Sequence, residues 1–258
     1  MPPFARAGAV IGDIEIGGRR IAVHNGVHDS NAALQAYRSL GLQSFTLVST
    51  GTWVIIFNPD CPLDALDPAF DMYCNVDVDG RAVPTIGFMG GREFDAIAGE
   101  LDGAVAREAI QRVIDARRFA LPAFAAAGPF GGQPGRIVPP APDPDAADRP
   151  AIAMLYVALM IDLCLDAIRS ANPIVIDGGL VAGGVLAKLL AQLRPGQEIS
   201  EGGISEGTAA GAATLAFAAH GRDMALPRPV RVAAGDYGDL DAYRREWRAQ
   251  LPIAGAQA

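Results

Sequence analysis

The residues best suited to chemistry are Asp29, in Gly26-Val27-His28-Asp29-Ser30-Asn31, and the following Ser49-Thr50-Gly51-Thr52. A carboxylate at the mouth of a helix can take a proton from a hydroxyl. A Thr-Gly-Thr turn can hold phosphate, because glycine lets backbone N–H groups approach an anion and the threonines add hydroxyl donors. The pair suggests phosphoryl transfer, in which positioning and electrostatics matter more than a strong base. On the residues alone each segment also has a plainer role. Asp29 suits an N-cap, and Ser49 to Thr52 suits a tight turn between two buried strands.

Ile174-Val175-Ile176-Asp177-Gly178-Gly179 is a third candidate. A β-branched strand that ends in two glycines and enters a helix lets the backbone approach a nucleotide where a side chain would block it. A simple strand-to-helix turn reads the same way. Glu206-Gly207-Thr208-Ala209-Ala210-Gly211-Ala212-Ala213 is a run of small residues suited to close helix packing. Gly87-Phe88-Met89-Gly90-Gly91-Arg92-Glu93 opens a helix, and its Arg92 suits a solvated helix start or a phosphate contact.

The elements that must position these residues follow from hydrophobic periodicity. Residues 9–16 and 20–24 read as a hairpin about Gly17-Gly18, and a helix follows Asp29 and stops at Gly41. Residues 45–49 and 53–57 read as strands, and 58–84 as irregular, with a strand over 83–88. Helices are expected from Glu93 and over 105–118, and residues 121–150 form a long Pro/Gly/Ala-rich loop. A buried helix over 151–170 precedes a strand at 173–176, a helix over 181–193, a strand at 197–199 and the small-residue helix. The tail holds a short helix over 240–251. The layout is mixed α/β.

Composition removes several function classes. Half of the 258 residues are hydrophobic, enough for a large core, and the net charge of −8 argues against nucleic acid. Three separated cysteines and three histidines complete no metal-ligand spacing. They read as reduced thiols in a cytoplasmic protein. No signal peptide is expected, and the apolar run from Ala151 to Ile161 is interrupted by Asp162 and too short to span a bilayer.

These motifs, in this order, resemble the C-terminal domain of FGGY-family carbohydrate kinases over roughly Gly8 to Ala219. The resemblance implies a ribonuclease-H-like fold, that of the actin, Hsp70 and sugar-kinase superfamily, with helices on both faces of a mixed sheet. It sets residues 8–222 as the nucleotide-binding domain, with the 121–150 loop inside it, and 223–258 as a C-terminal tail. It implies ATP and Mg²⁺ as cosubstrates and a small sugar or polyol as acceptor. Asp29 becomes the general base. Thr50, Gly51 and Thr52 contact phosphates, and Gly178 and Gly179 contact the adenosine. Where the family often carries an Asn this chain has Gly183. The Asp-x-Gly-Thr segment that opens the family's N-terminal domain occurs nowhere in the sequence. The expectation is therefore a kinase half that works with a separate N-terminal half or as a homo-oligomer. The alternative is a non-catalytic nucleotide-binding remnant.

Overall fold

A computed structural model describes residues 4–99, 105–139, 148–181, 183–204, 206–252 and 254. Its first element is the expected hairpin, β1 (Val10–Ile16) against β2 (Arg19–His24), which forms its own two-stranded sheet. Helix α1 (Asp29–Ser39) follows. Gly41 beyond it takes a left-handed φ of 83°, a conformation open to glycine without a Cβ clash.

The main sheet has seven strands. They are β3 (Thr46–Thr50), β4 (Val54–Phe57), β5 (Tyr73–Val76), β6 (Ala82–Phe88), β9 (Ile174–Gly178), β10 (Ile199–Glu201) and β11 (Val230–Arg231). Their order is β11-β10-β9-β3-β4-β6-β5, with β9 parallel to both β3 and β10 and the other pairs antiparallel. Strands β7 (Phe119–Leu121) and β8 (Arg136–Val138) pair separately.

Alternation along the strands assigns the two faces. Leu47, Phe57 and Val175 point into a core with Ala33, Leu34, Ala36 and Tyr37 of α1. Their neighbours Val48, Ile56, Ile174 and Ile176 point the other way. There they meet α2 (Gly90–Ala98), α3 (Arg107–Asp115), α4 (Arg149–Ala167) and α5 (Val185–Leu193). Helix α6 (Gly207–Ala219) packs along α1, so helices cover both faces.

Several boundaries depart from the sequence reading. Residues 58–84 are not wholly irregular: they hold two 3-10 turns and β5, an edge strand whose Asn and Cys hide its β pattern. The 121–150 region begins and ends its described loop in β7 and β8, while residues 140–147 lie outside the described residues. The helix expected from Val181 starts at Val185, because Gly183 and Gly184 adopt φ of 97° and 68°. Arg149–Ala167 does reach the length and hydropathy of a membrane span, though 78% of that window is buried inside the fold. Its apolar composition is accounted for by packing against α2, α3 and α5, and its Asp162 is buried and paired with Arg194 at 2.8 Å.

The segment read as a polar tail contains α7 (Leu240–Arg248), whose Leu240, Tyr243 and Trp247 are buried in the larger core. Trp247 Nε1 donates to the Ala120 carbonyl at 2.7 Å.

Candidate nucleotide and catalytic site

Parallel β3 and β9 lie side by side, with Thr50 in register with Gly178. Their carboxyl ends therefore open at one edge of the sheet, the place where open α/β sheets bind ligands. The two backbones touch there. Gly178 has a φ of 103°, and a Cβ on it would collide with the Thr50 carbonyl oxygen. Thr50 is buried; its hydroxyl donates to the Asp177 carbonyl at 2.8 Å and accepts from Leu180 N–H at 3.3 Å. Thr50 and Gly178 thus lock the two expected motifs together from below.

Above them a pocket of about 410 Å³ is lined by Gly51, Thr52, Gly91, Arg92, Asp95, Gly179 and Leu180. Three of the sequence candidates, Gly51, Thr52 and Gly179, face this one space. Gly51's own N–H is occupied by the Trp53 carbonyl at 2.8 Å, so an anion would meet Thr52 rather than Gly51 N–H. A Cβ on Gly179 would meet nothing within 4 Å, so that glycine leaves the pocket open.

The start of α2 forms the remaining wall. A Cβ on Gly91 would strike the Gly51 carbonyl, which explains the glycine pair before Arg92. The next residue, Glu93, is buried, and its carboxylate accepts from Phe124 N–H at 3.1 Å, Ala125 N–H at 3.2 Å and the Tyr156 hydroxyl at 2.7 Å. Burial pushes the Glu93 carboxyl above its ordinary range, although the three donors pull it back. Burial, then the neighbouring Glu93, pushes the Tyr156 hydroxyl up as well. Glu93 thereby ties the 122–135 loop and α4 to the helix that borders the pocket.

Asp29 is not the N-cap. His28 occupies that position, and Asp29 is the first helical residue, with its side chain 70% exposed. Its Oδ1 accepts from Ser30 N–H at 2.6 Å and lies 2.9 Å from His28 Nδ1. Two contacts fix helix α1. Arg38 pairs with the buried Asp77, and Asn31 donates to the Val76 carbonyl at 2.7 Å. Burial opposes ionisation of Asp77, but the Arg81 N–H, the Arg38 guanidinium and the Asp79 N–H together hold its pKa below the usual value.

The start of α6 connects Asp29 to the end of β9. The Thr208 hydroxyl donates to the Asp29 carbonyl at 3.4 Å, and a Cβ on the adjacent Gly207 would lie 3.0 Å from Asp177 Oδ2. The carboxylate therefore stands at the same edge of the sheet as the glycines, although it does not line the pocket. His28 and Asp95 are site residues that sequence reasoning did not name, and Arg92, read there as a solvated helix start or a phosphate contact, lines the pocket. For Arg92 and Asp95 the available signal was their spacing, three residues apart on one helix, directly after Gly-Gly.

The family model described as "Carbohydrate kinase FGGY, C-terminal domain" matches residues 42–225. A carbohydrate kinase from Novosphingobium aromaticivorans has 32% identity and a TM-score of 0.78, covering 96% of this chain and 58% of its own. A xylulose kinase from Rhodospirillum rubrum has 18% identity and a TM-score of 0.66, covering 96% of this chain and 56% of its own. Plasmodium falciparum glycerol kinase with ADP has 11% identity and a TM-score of 0.66, covering 95% and 54%. The last two likenesses are of fold alone. No curated protein matches the chain. The neighbours are sugar kinases, and the architecture is the ribonuclease-H-like fold they share with actin and Hsp70. This chain belongs to the FGGY carbohydrate kinases, and the part of that family it matches is the C-terminal domain.

Proposed function

We propose that the chain is the nucleotide-binding, catalytic half of an ATP-dependent carbohydrate kinase of the cytoplasm, acting on a small sugar or polyol. The observation that carries this reading is the convergence of Gly51, Thr52 and Gly179 on one pocket at the carboxyl ends of β3 and β9. In the proposed reaction a sugar hydroxyl oxygen attacks the γ-phosphorus of ATP, its proton passes to the Asp29 carboxylate, and ADP departs with the bridging oxygen. Thr52 and the pocket's backbone hold the phosphates, Thr50 and Gly178 set the distance between the two strand ends, and Gly179 borders the adenosine. Mg²⁺ would enter with the nucleotide, held mainly by phosphate oxygens, and would supply charge neutralisation. Asp95 is the carboxylate of the pocket lining placed to share it.

The chain spans 58% of the length of the relative with 32% identity. The same geometry therefore also suits a nucleotide-binding subunit that needs a separate N-terminal half, or a second copy, before it transfers phosphate.

Calorimetric titration with Mg-ADP tests the reading. The unaltered chain should bind saturably. A Cβ at Gly179 meets nothing in the fold, so Gly179→Val, which intrudes on the pocket, should weaken binding about tenfold or more. Asp29→Asn should bind ADP normally, yet lose turnover in any assembly that phosphorylates a sugar. Absence of binding by the unaltered chain would overturn the nucleotide assignment, and retained turnover would remove Asp29 as the base.

A further inference from the structure

Arg92 is the cationic side chain in the pocket lining, beside Thr52, Gly179 and Asp95. Its direction is set by its neighbours. Gly91 is pressed against the Gly51 carbonyl, and Glu93 is drawn into the core by Tyr156, Phe124 and Ala125. A helix held on both sides of Arg92 turns that residue outward into the pocket. Among the described residues the guanidinium has neither an ion-pair nor a hydrogen-bond partner. Asp95 shares the lining but stands beyond ion-pair distance of it. Several other arginines are paired, Arg38 with Asp77, Arg112 with Asp148 at 2.9 Å and Arg194 with Asp162 at 2.8 Å.

The pocket's hydroxyl donor, Thr52, is neutral and Gly51 N–H is occupied. A chain of phosphates carries several negative charges, and neutral donors alone leave them poorly compensated. A guanidinium offers a planar fork of donors that matches two phosphate oxygens at once.

We propose that Arg92 binds the phosphate chain of the nucleotide and gives this site its preference for nucleoside diphosphates and triphosphates over monophosphates. The inference rests on the nucleotide reading of the pocket and adds the residue that reads phosphate number.

The test is calorimetric titration of the full chain with ADP, AMP and adenosine, for the unaltered protein, Arg92→Gln and Arg92→Lys. Arg92 is exposed, so its replacement leaves the core intact, and an unchanged melting temperature would verify this. Arg92→Gln should weaken ADP about 10- to 100-fold and leave adenosine unchanged, so that the ADP-to-AMP ratio collapses. Arg92→Lys should recover part of the loss, because a point charge replaces the fork. If Arg92→Gln binds ADP as the unaltered chain does, the role of Arg92 is overturned while the nucleotide site stands. If the unaltered chain binds neither ADP nor adenosine, the nucleotide reading falls and the Arg92 assignment falls with it.

Discussion

Glu93 and Asp29 both stand in the first turn of a helix but differ in burial. Asp29 is exposed at a helix start, whereas Glu93 is buried with three donors around it. Its folded pKa is raised, so its contribution to stability is complete below its unfolded pKa and is lost as pH rises through the folded one. Each pH unit between the two pKa values removes about 1.4 kcal/mol. Glu93→Gln keeps an acceptor for Phe124 and Ala125 and offers an amide to the Tyr156 oxygen, but does not titrate. The stability gap between the unaltered protein and Glu93→Gln should therefore shift towards the variant as pH rises from about 4.5 towards neutrality. Urea unfolding of both proteins across that range measures it. Asp77 and Asp166, whose pKa values are lowered, affect both proteins alike and cancel in the comparison. A constant gap would mean that Glu93 holds one charge state throughout.

Helices α1 and α6 meet through small residues, and this contact sets where Asp29 stands. A Cβ on Gly211 would collide with the Ala32 carbonyl, so the helices approach backbone to backbone. Gly211→Ala must drive them apart, at a cost of about 1–3 kcal/mol. Denaturant unfolding should show that loss. Because α1 carries the carboxylate and not the pocket, ADP affinity should hold while turnover falls. Unchanged stability would mean that α1 gives way freely and does not fix Asp29. This packing was legible in Gly207-Thr208-Ala209-Ala210-Gly211, as were β3, β4 and the all-round apolar α4, where local pattern and tertiary environment agree. The edge strand β5 and the short β11 were not, since their residues are largely exposed and bury little to betray them. The late start of α5 depends on two left-handed glycines, which a periodicity reading passes over. The meeting of Arg92 with Thr52 was also invisible, because it joins the start of α2 to the β3–β4 turn by tertiary contact alone.

At the scale of the whole molecule the pocket and the C-terminal helix belong to one core. Val48 and Val54, which flank the β3–β4 turn, share a continuous cluster with Tyr243 and Trp247 of α7. The outer side of α7 is held by Arg248, 2.5 Å from the fully buried Asp162, and Asp162 in turn holds Arg194 of the segment after α5. Removing one member of such a buried ion group leaves a charge unpaired, so α7 cannot peel away without exposing the rest. The two tryptophans report on two different parts of this unit. Trp53 sits in the turn beside the pocket and is 40% exposed, while Trp247 is fully buried. In each single-tryptophan protein, Trp53→Phe and Trp247→Phe, fluorescence and far-UV circular dichroism should give coincident urea midpoints, although Trp247→Phe, which loses a buried ring and its bond to Ala120, unfolds at lower urea. Mg-ADP at a hundred times its dissociation constant should stabilise the fold by about 2.7 kcal/mol. If the core is cooperative, the distant Trp247 signal should shift with the ligand as far as the Trp53 signal does. A shift confined to Trp53 would show that the nucleotide end of the sheet melts on its own, and that α7 anchors only the opposite face.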